Sequence, residues 1–447
     1  MPLTETEETI MIVAKFGGTS LADADAIRNA VNILRDNPER KYMVVSAPGK
    51  RFGEDIKVTD LLYQVYEAAE NGRDYMPALR LVQERFEQIA ADLDIELDLD
   101  REFEMIIARI EEKPSRDYLA SRGEYLNAKV ISAYLGWPMI DAANTIFFDS
   151  RRRFDEAATY PVLRRAMRRA EHAVIPGFYG GIGRDEICTF SRGGSDVTGA
   201  IAARAVKADV YENWTDVNGL LTADPRVIPE AKTMEWISYR ELRELSYMGA
   251  SVMHEDTVLP VRTAGIPIHI CNSSDPSAHG TWIVSGMPDH VKKRGISGIA
   301  GKTGFSNLQI EKVMMNVEIG FGASVLRIIA EHGVSFEHMP TSMETMSVLV
   351  STPQLDHCRD EILKEIDDEL HPDRIFIEDG IALIAVVGEG ISNTGAAARI
   401  LQVIADADIS IRMVDASFGE LIVIVAVPET DYQRTVRALY DGLKKDM

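Results

Sequence analysis

One short stretch near the start of the chain most constrains its fold. It reads Lys15-Phe16-Gly17-Gly18-Thr19-Ser20 and follows an apolar run at residues 11–14 that is long enough for a buried strand. After it, apolar residues recur at helical spacing, and Ser20 is expected to cap that helix, with Asp23 completing a capping-box-like start. A strand therefore turns sharply into a helix through two glycines, beside a lysine.

This turn has the composition of a phosphate site. Gly17 and Gly18 let backbone N–H groups converge on an anion, the helix N-terminus adds partial positive charge, and Lys15 adds a full charge. Short glycine-rich turns also occur as plain connections. By themselves, residues 15–20 leave an ordinary strand–helix turn with a surface lysine equally open.

Composition bounds the class of protein. A chain of 447 residues predicts two to four domains, and 46% hydrophobic with 26% charged residues is globular. The formal net charge of −22 argues against a nucleic-acid or anionic-membrane partner. No apolar segment has the form of a signal peptide or the ~20 residues of a membrane span. The three widely spaced cysteines (Cys188, Cys271, Cys358) are expected to be reduced, buried thiols of a cytoplasmic protein.

The order of strand-like and helix-like segments predicts the architecture of the first two thirds. Residues 11–290 alternate between them, which is the βαβ rhythm of a mostly parallel sheet covered by helices. Residues 57–135 are nearly all helical and are expected to cover one face or form a lid. The predicted strands are residues 12–16, 42–46, 173–175, 186–190, 210–214 and 268–271.

A second glycine pair follows the strand that ends near Phe190. The sequence Ser191-Arg192-Gly193-Gly194-Ser195-Asp196 opens a helix rich in small residues. The planar fork of Arg192 suits bidentate binding of a substrate carboxylate. Asp196 is placed to cap the helix, to orient Lys15 or to help to hold Mg²⁺.

Three further stretches accompany these two turns: Val-Ser-Ala at 45–47, Ser-Arg-Gly-Glu at 121–124, and Trp-Thr-Asp at 214–216 with Asp-Pro-Arg at 224–226. Taken together with residues 15–20 and 191–196, these motifs resemble those of the aspartate kinases, within the amino-acid kinase family. The resemblance covers nearly the whole chain. It implies an α/β fold with a three-layer amino-acid kinase sheet and helices on both faces, followed by two ferredoxin-like α+β ACT domains. The implied activity is ATP-dependent phosphorylation of the β-carboxylate of L-aspartate, the first step of lysine, threonine and methionine biosynthesis.

The resemblance also implies a role for each motif, with ATP and Mg²⁺ as cofactors. Glu124 is expected to bind the substrate ammonium, and Arg192 the α-carboxylate. Helix capping explains Thr59 at least as well as substrate binding. The implied catalytic residues are Lys15 and Asp196. The implied aspartate-binding residues are Ser46, Thr59, Glu124, Arg192 and Ser195. The implied ATP-binding residues are Lys15, Gly17, Gly18, Ser20, Thr215, Asp216, Arg226, Lys232 and Ser251.

Two departures from the family pattern concern the nucleotide. Ser251 stands where relatives commonly carry a lysine that reaches the phosphates, and Leu221 stands where many have an aromatic ring. Phosphoryl transfer depends on positioned positive charge. Lys232 or Arg226 is therefore expected to replace the missing cation, unless Lys15 and Mg²⁺ suffice.

The last third of the chain contains an internal repeat. Residues 325–336 align with residues 400–411 at a constant offset, which indicates a small α+β unit used twice. We expect a catalytic domain at residues 1–298, with a helical subregion at 57–135, and ACT domains at 305–378 and 379–447. ACT units usually pair, which implies a homodimer or higher homo-oligomer.

The first repeat is expected to bind a feedback amino acid, most often lysine in this family and next threonine. Glu337 is a candidate for its ammonium group, although a plain charged residue on an exposed strand explains it equally. The implied effector-binding residues are Phe321, Gly322, Ala323, Ser335, Phe336 and Glu337. Two other functions remain open: a glutamate-type amino-acid kinase, and a non-catalytic amino-acid sensor of the same fold.

Overall fold

The computed structural model describes residues 10–113, 115–183, 185–191, 193–250, 253, 255–289, 295–416 and 421–447. Arg192 and Ser251, both expected site residues, lie outside the described residues. The strands are β1 Ile12–Phe16, β2 Arg40–Val45, β3 Ala173–Pro176, β4 Tyr179–Ile182, β5 Glu186–Thr189, β6 Val210–Thr215, β7 Trp236–Ser238, β8 Ile268–Asn272, β9 Thr281–Val284, β10 Gly298–Glu311, β11 Phe336–His338, β12 Thr345–Ser351, β13 Arg374–Val387, β14 Met413–Asp415 and β15 Ile422–Pro428. The helices are α1 Ala24–Arg35, α2 Val58–Glu70, α3 Met76–Asp92, α4 Leu99–Glu111, α5 Arg116–Leu135, α6 Glu156–Ala170, α7 Gly194–Val206, α8 Tyr239–Tyr247, α9 Glu255–Ala264, α10 Phe321–Glu331, α11 Thr352–Leu355, α12 Arg359–Leu370, α13 Ala396–Asp406 and α14 Tyr432–Leu443.

The chain divides into two compact units. The first unit comprises Met1–Leu220, Thr233–Tyr239 and Val252–Met287, and the second comprises Leu221–Lys232, Arg240–Ser251 and Pro288–Met447. The segments Leu221–Lys232 and Arg240–Ser251, which contain residues expected to bind the nucleotide, thus belong to the second unit. The domain boundaries predicted from the sequence, at residues 298, 305 and 379, remain predictions.

A seven-stranded sheet forms the centre of the first unit. Its order is β3-β2-β1-β6-β8-β9-β7, and β1 pairs in parallel with both β2 and β6. At the other end of the sheet, β9 runs antiparallel to β8, and β7 pairs in parallel with β9. The predicted strand at residues 186–190 does not join this sheet: β5 pairs with β4 in a separate two-stranded hairpin.

Alternation along β1 divides the residues between the two faces of this sheet. Ala14 and Phe16 are buried in a hydrophobic cluster with residues from α1 to α5. Lys15 points to the opposite face, where it meets Asp196 of α7. The predicted helical region at 57–135 is the four helices α2 to α5, so one face of the sheet carries the helical layer and the other carries the lysine.

The second unit contains a six-stranded antiparallel sheet of order β11-β12-β10-β13-β15-β14. Each half is a four-stranded ferredoxin-like repeat, and the helices α10 and α13 begin 75 residues apart, at Phe321 and Ala396. The long strands β10 and β13 run through both halves. Residues 298–302 of β10 pair with 383–387 of β13, so the second repeat takes its fourth strand from the chain segment that precedes the first repeat.

These observations confirm the predicted fold class, an α/β unit followed by two α+β repeats. All three cysteines are buried and free, as the sequence indicated. Within the described ranges, no helix combines the length and the apolar character needed to cross a membrane.

Candidate active site

Lys15 lies at the centre of a buried polar cluster. Its ammonium is 2.7 Å from Oδ1 of Asp196 and donates to Oδ1 of Asn213 across 3.2 Å. The amide Nδ2 of Asn213 in turn donates to Oδ1 of Asp196 across 3.0 Å. Lys15 is 7% exposed, and an ammonium has three N–H donors, so beyond its two partners among the described residues one donor remains to meet an anion.

Strand register explains this cluster. Lys15 of β1 is directly opposite Asn213 of β6, and neighbouring residues at the same register of parallel strands point to the same face. Asp196 joins them from the first turn of α7. In the sequence Asn213 is only a polar residue next to Glu212, and its role follows from the strand pairing.

The first glycine turn packs backbone against backbone. The N–H of Gly49, in the loop after β2, donates to the carbonyl of Gly18 across 2.8 Å. A Cβ on Gly18 would be 2.9 Å from the carbonyl oxygen of Ala47, and one on Gly49 would be 2.6 Å from the carbonyl carbon of Gly18. The Lys15 ammonium passes 3.6 Å from the position of a Cβ on Gly17. This close packing leaves a side-chain-free surface under the lysine.

The predicted helix cap at Ser20 is wrong. Asp23 caps α1 by accepting a hydrogen bond from the N–H of Ala26, because Ser20 lies in a separate 3₁₀ turn, Thr19–Leu21. The Ser20 hydroxyl instead pairs with the hydroxyl of Ser273 at 2.6 Å. Ser273 also donates to the carbonyl of Thr215 at 3.0 Å, so these hydroxyls link the ends of β1, β6 and β8.

The second glycine turn packs against the loop after β3. Gly193 has a φ of +53°, which a glycine adopts without strain, and it precedes α7. A Cβ on Gly194 would be 2.4 Å from the Phe178 ring, and one on Gly177 would be 2.7 Å from Ser195. Ser195 and Asp196 thus occupy the first turn of a closely held helix, while the neighbouring Arg192 lies outside the described residues.

Glu124 and Asn127, both on α5, lie against the peptide group that joins Ser46 and Ala47. The amide of Asn127 donates to the carbonyl of Ser46 across 2.7 Å, and the N–H of the next residue, Ala47, lies where it favours the ionised form of Glu124. Gly123 permits this approach, since a Cβ there would be 2.7 Å from the Cβ of Ala47. The expectation that the glycine of the Ser-Arg-Gly-Glu motif allows a close contact is confirmed, and the partner is the loop that carries Ser46.

Buried acceptors in this region lack protein partners. Glu124 is 5% exposed and Asn127 is fully buried, yet Oε2 of Glu124 and Oδ1 of Asn127 have no hydrogen-bond partner among the described residues. Burial raises the pKa of Glu124 to about 8, against the opposing effect of the Ala47 N–H. A carboxylate that is buried and only partly bonded is suited to receive a cationic group. Thr59 is half-buried in the first turn of α2.

Arg85 of α3 anchors the segments that contain Ala22 and Gly49, a role that no sequence motif indicated. Its buried guanidinium donates to the carbonyl of Gly49 at 2.7 Å, to the carbonyl of Ala22 at 3.2 Å and to Asp55 at 2.9 Å. Arg51 and Arg85 hold the pKa of Asp55 well below its usual range. An arginine that uses all three of its nitrogens in this way fixes the backbone beside the first glycine turn.

The remaining nucleotide candidates divide between the two units. Thr215 ends β6 and Asp216 follows it in the first unit, and the Thr215 hydroxyl is 3.3 Å from Oδ1 of Asp216. Arg226 and Lys232 belong to the second unit, where both are exposed. Arg226 forms an ion pair with Asp224 at 2.7 Å and lines a cavity of about 540 Å³.

The effector candidates surround the start of α10 and the edge strand β11. Phe321 is buried, whereas Ala323, Ser335 and Phe336 are exposed and Gly322 is half-buried. The backbone N–H of Ser335 donates to the side chain of Gln354 across 3.1 Å. The carboxylate of Glu337 accepts a hydrogen bond from the hydroxyl of Tyr247, which is a residue of the same unit.

Comparison with known proteins identifies the family. The Amino acid kinase family profile matches residues 11–272, and an ACT domain profile matches residues 384–443. Aspartokinase 3 of Bacillus subtilis is 35% identical over 446 residues, which cover 96% of this chain and 98% of that protein. The chain belongs to the aspartokinases. This confirms the resemblance and the enzyme class predicted from the sequence.

Solved structures of aspartokinases agree with this assignment. Clostridium acetobutylicum aspartate kinase is 42% identical, with a TM-score of 0.89 over 97% of this chain and all of that one. Escherichia coli aspartokinase III has been solved with lysine and aspartate and with aspartate and ADP. These two structures are 26% and 25% identical, with TM-scores of 0.71 and 0.73; each match covers 97% of this aspartokinase and 99% and 100% of the E. coli chains.

Proposed function

We propose that this aspartokinase transfers the γ-phosphoryl group of ATP to the β-carboxylate of L-aspartate, giving 4-phospho-L-aspartate and ADP. The observation that carries the proposal is the buried cluster of Lys15, Asp196 and Asn213 over a glycine turn. It holds a positive charge beside two half-buried glycines, with one donor that has no acceptor among the described residues, and a transferred phosphoryl group requires such a charge. The reaction is the expected first step of lysine, threonine and methionine biosynthesis.

In this proposal each end of the substrate has its own partner. Glu124 receives the α-ammonium through its unpartnered oxygen, and Ser46 lines the same pocket on the peptide that Glu124 and Asn127 hold. Arg192 and Ser195 are assigned to the α-carboxylate, and Thr59 to the pocket wall, by the family pattern. The β-carboxylate is already ionised near pH 7, so no general base is needed before it attacks phosphorus.

The nucleotide assignments follow the same logic. We assign Gly17, Gly18 and Ser20 to the phosphate side, Thr215 and Asp216 to the base and ribose, and Arg226, Lys232 and Ser251 to the phosphates. Mg²⁺ bound with ATP would offset phosphate charge. Asp196 offers one carboxylate, and among the described residues no cluster of three His, Cys, Asp or Glu could hold the ion alone. That composition suits a metal held chiefly by nucleotide and water.

Regulation by an amino acid is the second part of the proposal. Lysine is the favoured effector, supported by the complex of E. coli aspartokinase III with lysine, and threonine is next. Phe321, Gly322, Ala323, Ser335, Phe336 and Glu337 are the assigned residues. A homodimer through the ACT repeats is supported by exposed apolar side chains on the first repeat: Val313, Met314, Val317, Ile319 and Met343. A cytoplasmic location is supported by the three free cysteines.

A hydroxamate assay tests the proposal against both alternatives. Purified protein with ATP and Mg²⁺ is offered L-aspartate, L-glutamate or N-acetyl-L-glutamate, and hydroxylamine traps any acyl phosphate. We expect aspartyl hydroxamate alone. Glutamyl product would favour a glutamate-type kinase. Absence of every product, with amino acids still bound in calorimetry, would favour a sensor that has lost turnover.

A further inference from the structure

Lys302 brings a second cation to the cavity that contains Arg226. The cavity of about 540 Å³ lies within the second unit, and Arg226, Gly249, Lys302 and Tyr432 are among its lining residues. Lys302 belongs to β10, the strand shared by both regulatory repeats. Its side chain runs alongside Gly249, since a Cβ on that glycine would be 3.1 Å from Cγ and 3.6 Å from Cε of the lysine.

No carboxylate of the described residues neutralises the charge of Lys302. Asp224 lines the same cavity, but its two oxygens accept from Nε and Nη2 of Arg226 at 3.0 and 2.7 Å. Among the described residues, no carboxylate lies within ion-pair distance of Lys302. Its ammonium instead lies 4.8 Å from the centre of the Tyr247 ring, a contact that leaves the N–H donors free to meet an anion.

Tyr247 connects this ammonium to the expected effector site. Its ring lies against Lys302, and its hydroxyl donates to the carboxylate of Glu337. Burial, followed by the neighbouring Glu337, raises the pKa of Tyr247, so the hydroxyl keeps its proton and remains a donor near neutral pH. A ligand ammonium that binds Glu337 would compete with Tyr247 for that carboxylate.

We propose that Lys302 binds the phosphates of the nucleotide in this cavity, and that Tyr247 couples its position to the occupancy of Glu337. The inference rests on the proposed function and extends it. Ser251 offers the nucleotide no positive charge, and in this proposal Lys302 of β10 supplies it. Tyr247 contacts both Lys302 and Glu337. An effector that binds the Glu337 carboxylate therefore displaces the Tyr247 hydroxyl and changes how the Tyr247 ring holds the Lys302 ammonium. Differential binding of this kind is what an allosteric coupling requires.

The first test measures nucleotide affinity. Losing a charged hydrogen bond to phosphate should raise the KM for ATP of Lys302→Ala about tenfold and weaken ADP binding by a similar factor in calorimetry. The exposed lysine of α12, changed in Lys364→Ala, is the matched control and should alter neither value. Adding Ser251→Lys to Lys302→Ala should restore much of the affinity. Equal values for Lys302→Ala and wild type, or equal losses in both lysine variants, would overturn the assignment.

Calorimetry separates this inference from the reaction itself. If the wild type forms no aspartyl phosphate, the proposed function fails, but ADP binding still reports on Lys302. Melting temperatures of the variants are compared with wild type, and Lys302→Arg, which keeps the charge, should bind ADP better than Lys302→Ala even if both are less stable. An arginine variant no better than alanine would contradict a role for the charge.

The second test concerns Tyr247. Tyr247→Phe keeps the ring beside Lys302 and removes the bond to Glu337, so we expect a larger change in inhibition by L-lysine than in the KM for ATP. The concentration for half-inhibition should shift by at least about fivefold, the lower range of allosteric couplings. L-Threonine is the second probe. Wild-type-like inhibition of Tyr247→Phe, or a wild-type enzyme that neither amino acid inhibits, would overturn the link.

Discussion

Lys15 and Asn213 face each other at the same register of β1 and β6, and the lysine ammonium donates to the asparagine oxygen across 3.2 Å. Asn213 also donates to Asp196, so it holds both charged members of the cluster. We expect Lys15→Ala to lower kcat by about 10³-fold, because a charge at the transferred group is lost. Asn213→Ala should lower kcat about tenfold with little change in the KM for aspartate.

Steady-state kinetics and effector binding check this prediction together. Lys15→Ala should still bind the feedback amino acid with wild-type affinity, since its substitution leaves the second unit intact. Retained turnover in Lys15→Ala would remove this lysine from the mechanism. A fall in aspartate affinity without a fall in kcat would contradict the positioning role of Asn213.

The buried carboxyl of Glu124 predicts a pH dependence of substrate affinity. With its pKa raised to about 8, the group is protonated near neutral pH in the ligand-free protein, and a substrate ammonium favours the ionised form. Aspartate binding should therefore release a proton below about pH 8, and the KM for aspartate should fall as pH rises towards that value. Calorimetry in buffers of different ionisation enthalpy measures the proton release, which should vanish in Glu124→Gln.

The same shift predicts a stability trend with a defined sign. In the folded protein Glu124 keeps its proton up to about pH 8. In the unfolded chain the pKa of the same group is 4.5, so the proton is lost at lower pH. Between about pH 4.5 and 8 this single group should lower the free energy of unfolding by about 1.4 kcal/mol per pH unit, with no further loss above that range. The difference between wild type and Glu124→Gln in urea unfolding isolates this contribution, and an identical pH slope in the two proteins would contradict it.

Asn127 should affect substrate affinity without touching the reacting groups. Asn127→Leu removes the side-chain donor to the Ser46 carbonyl. We expect a cost of about 1–3 kcal/mol in unfolding and a rise of about tenfold in the KM for aspartate. Ser132→Ala on the same helix, which loses a bond to the carbonyl of Trp137, is the control. It should lose stability while keeping the wild-type KM.

Arg85 should stabilise the loops beside the glycine turn. Arg85→Ala leaves the carbonyls of Gly49 and Ala22 without their donor and leaves Asp55 with Arg51 alone. We expect the free energy of unfolding to fall by about 3 kcal/mol, since a buried ion pair loses one partner. Arg80→Ala, an exposed residue of the same helix, should change stability by less than about 0.5 kcal/mol. A double-mutant cycle with Asp55→Ala measures the pair, and additive losses would show that the two side chains do not interact.

Features formed by residues that are close together in the sequence were predictable. The strand and glycine turn at residues 12–18, the helical Ser-Arg-Gly-Glu segment and the repeated helices α10 and α13 all follow from local periodicity and from residue types with restricted conformations. The family resemblance added the role of each motif. The error at Ser20 was also local: two residues, Ser20 and Asp23, satisfied the same capping pattern, and packing of Ser20 against Ser273 decided between them.

Contacts between distant segments were not predictable in the same way. Asn213 is 198 residues from Lys15, and Asn127 is 81 residues from Ser46, so no local pattern marks either pair. The fourth strand of the second repeat precedes the first repeat, because antiparallel pairing depends on free backbone edges rather than on chain order. The sequence by itself determined the family, the fold class and the lysine over its glycine turn. Only the tertiary structure decided which buried polar groups hold that lysine and the substrate loop, because a buried donor or acceptor must be satisfied by whichever partner the fold brings near.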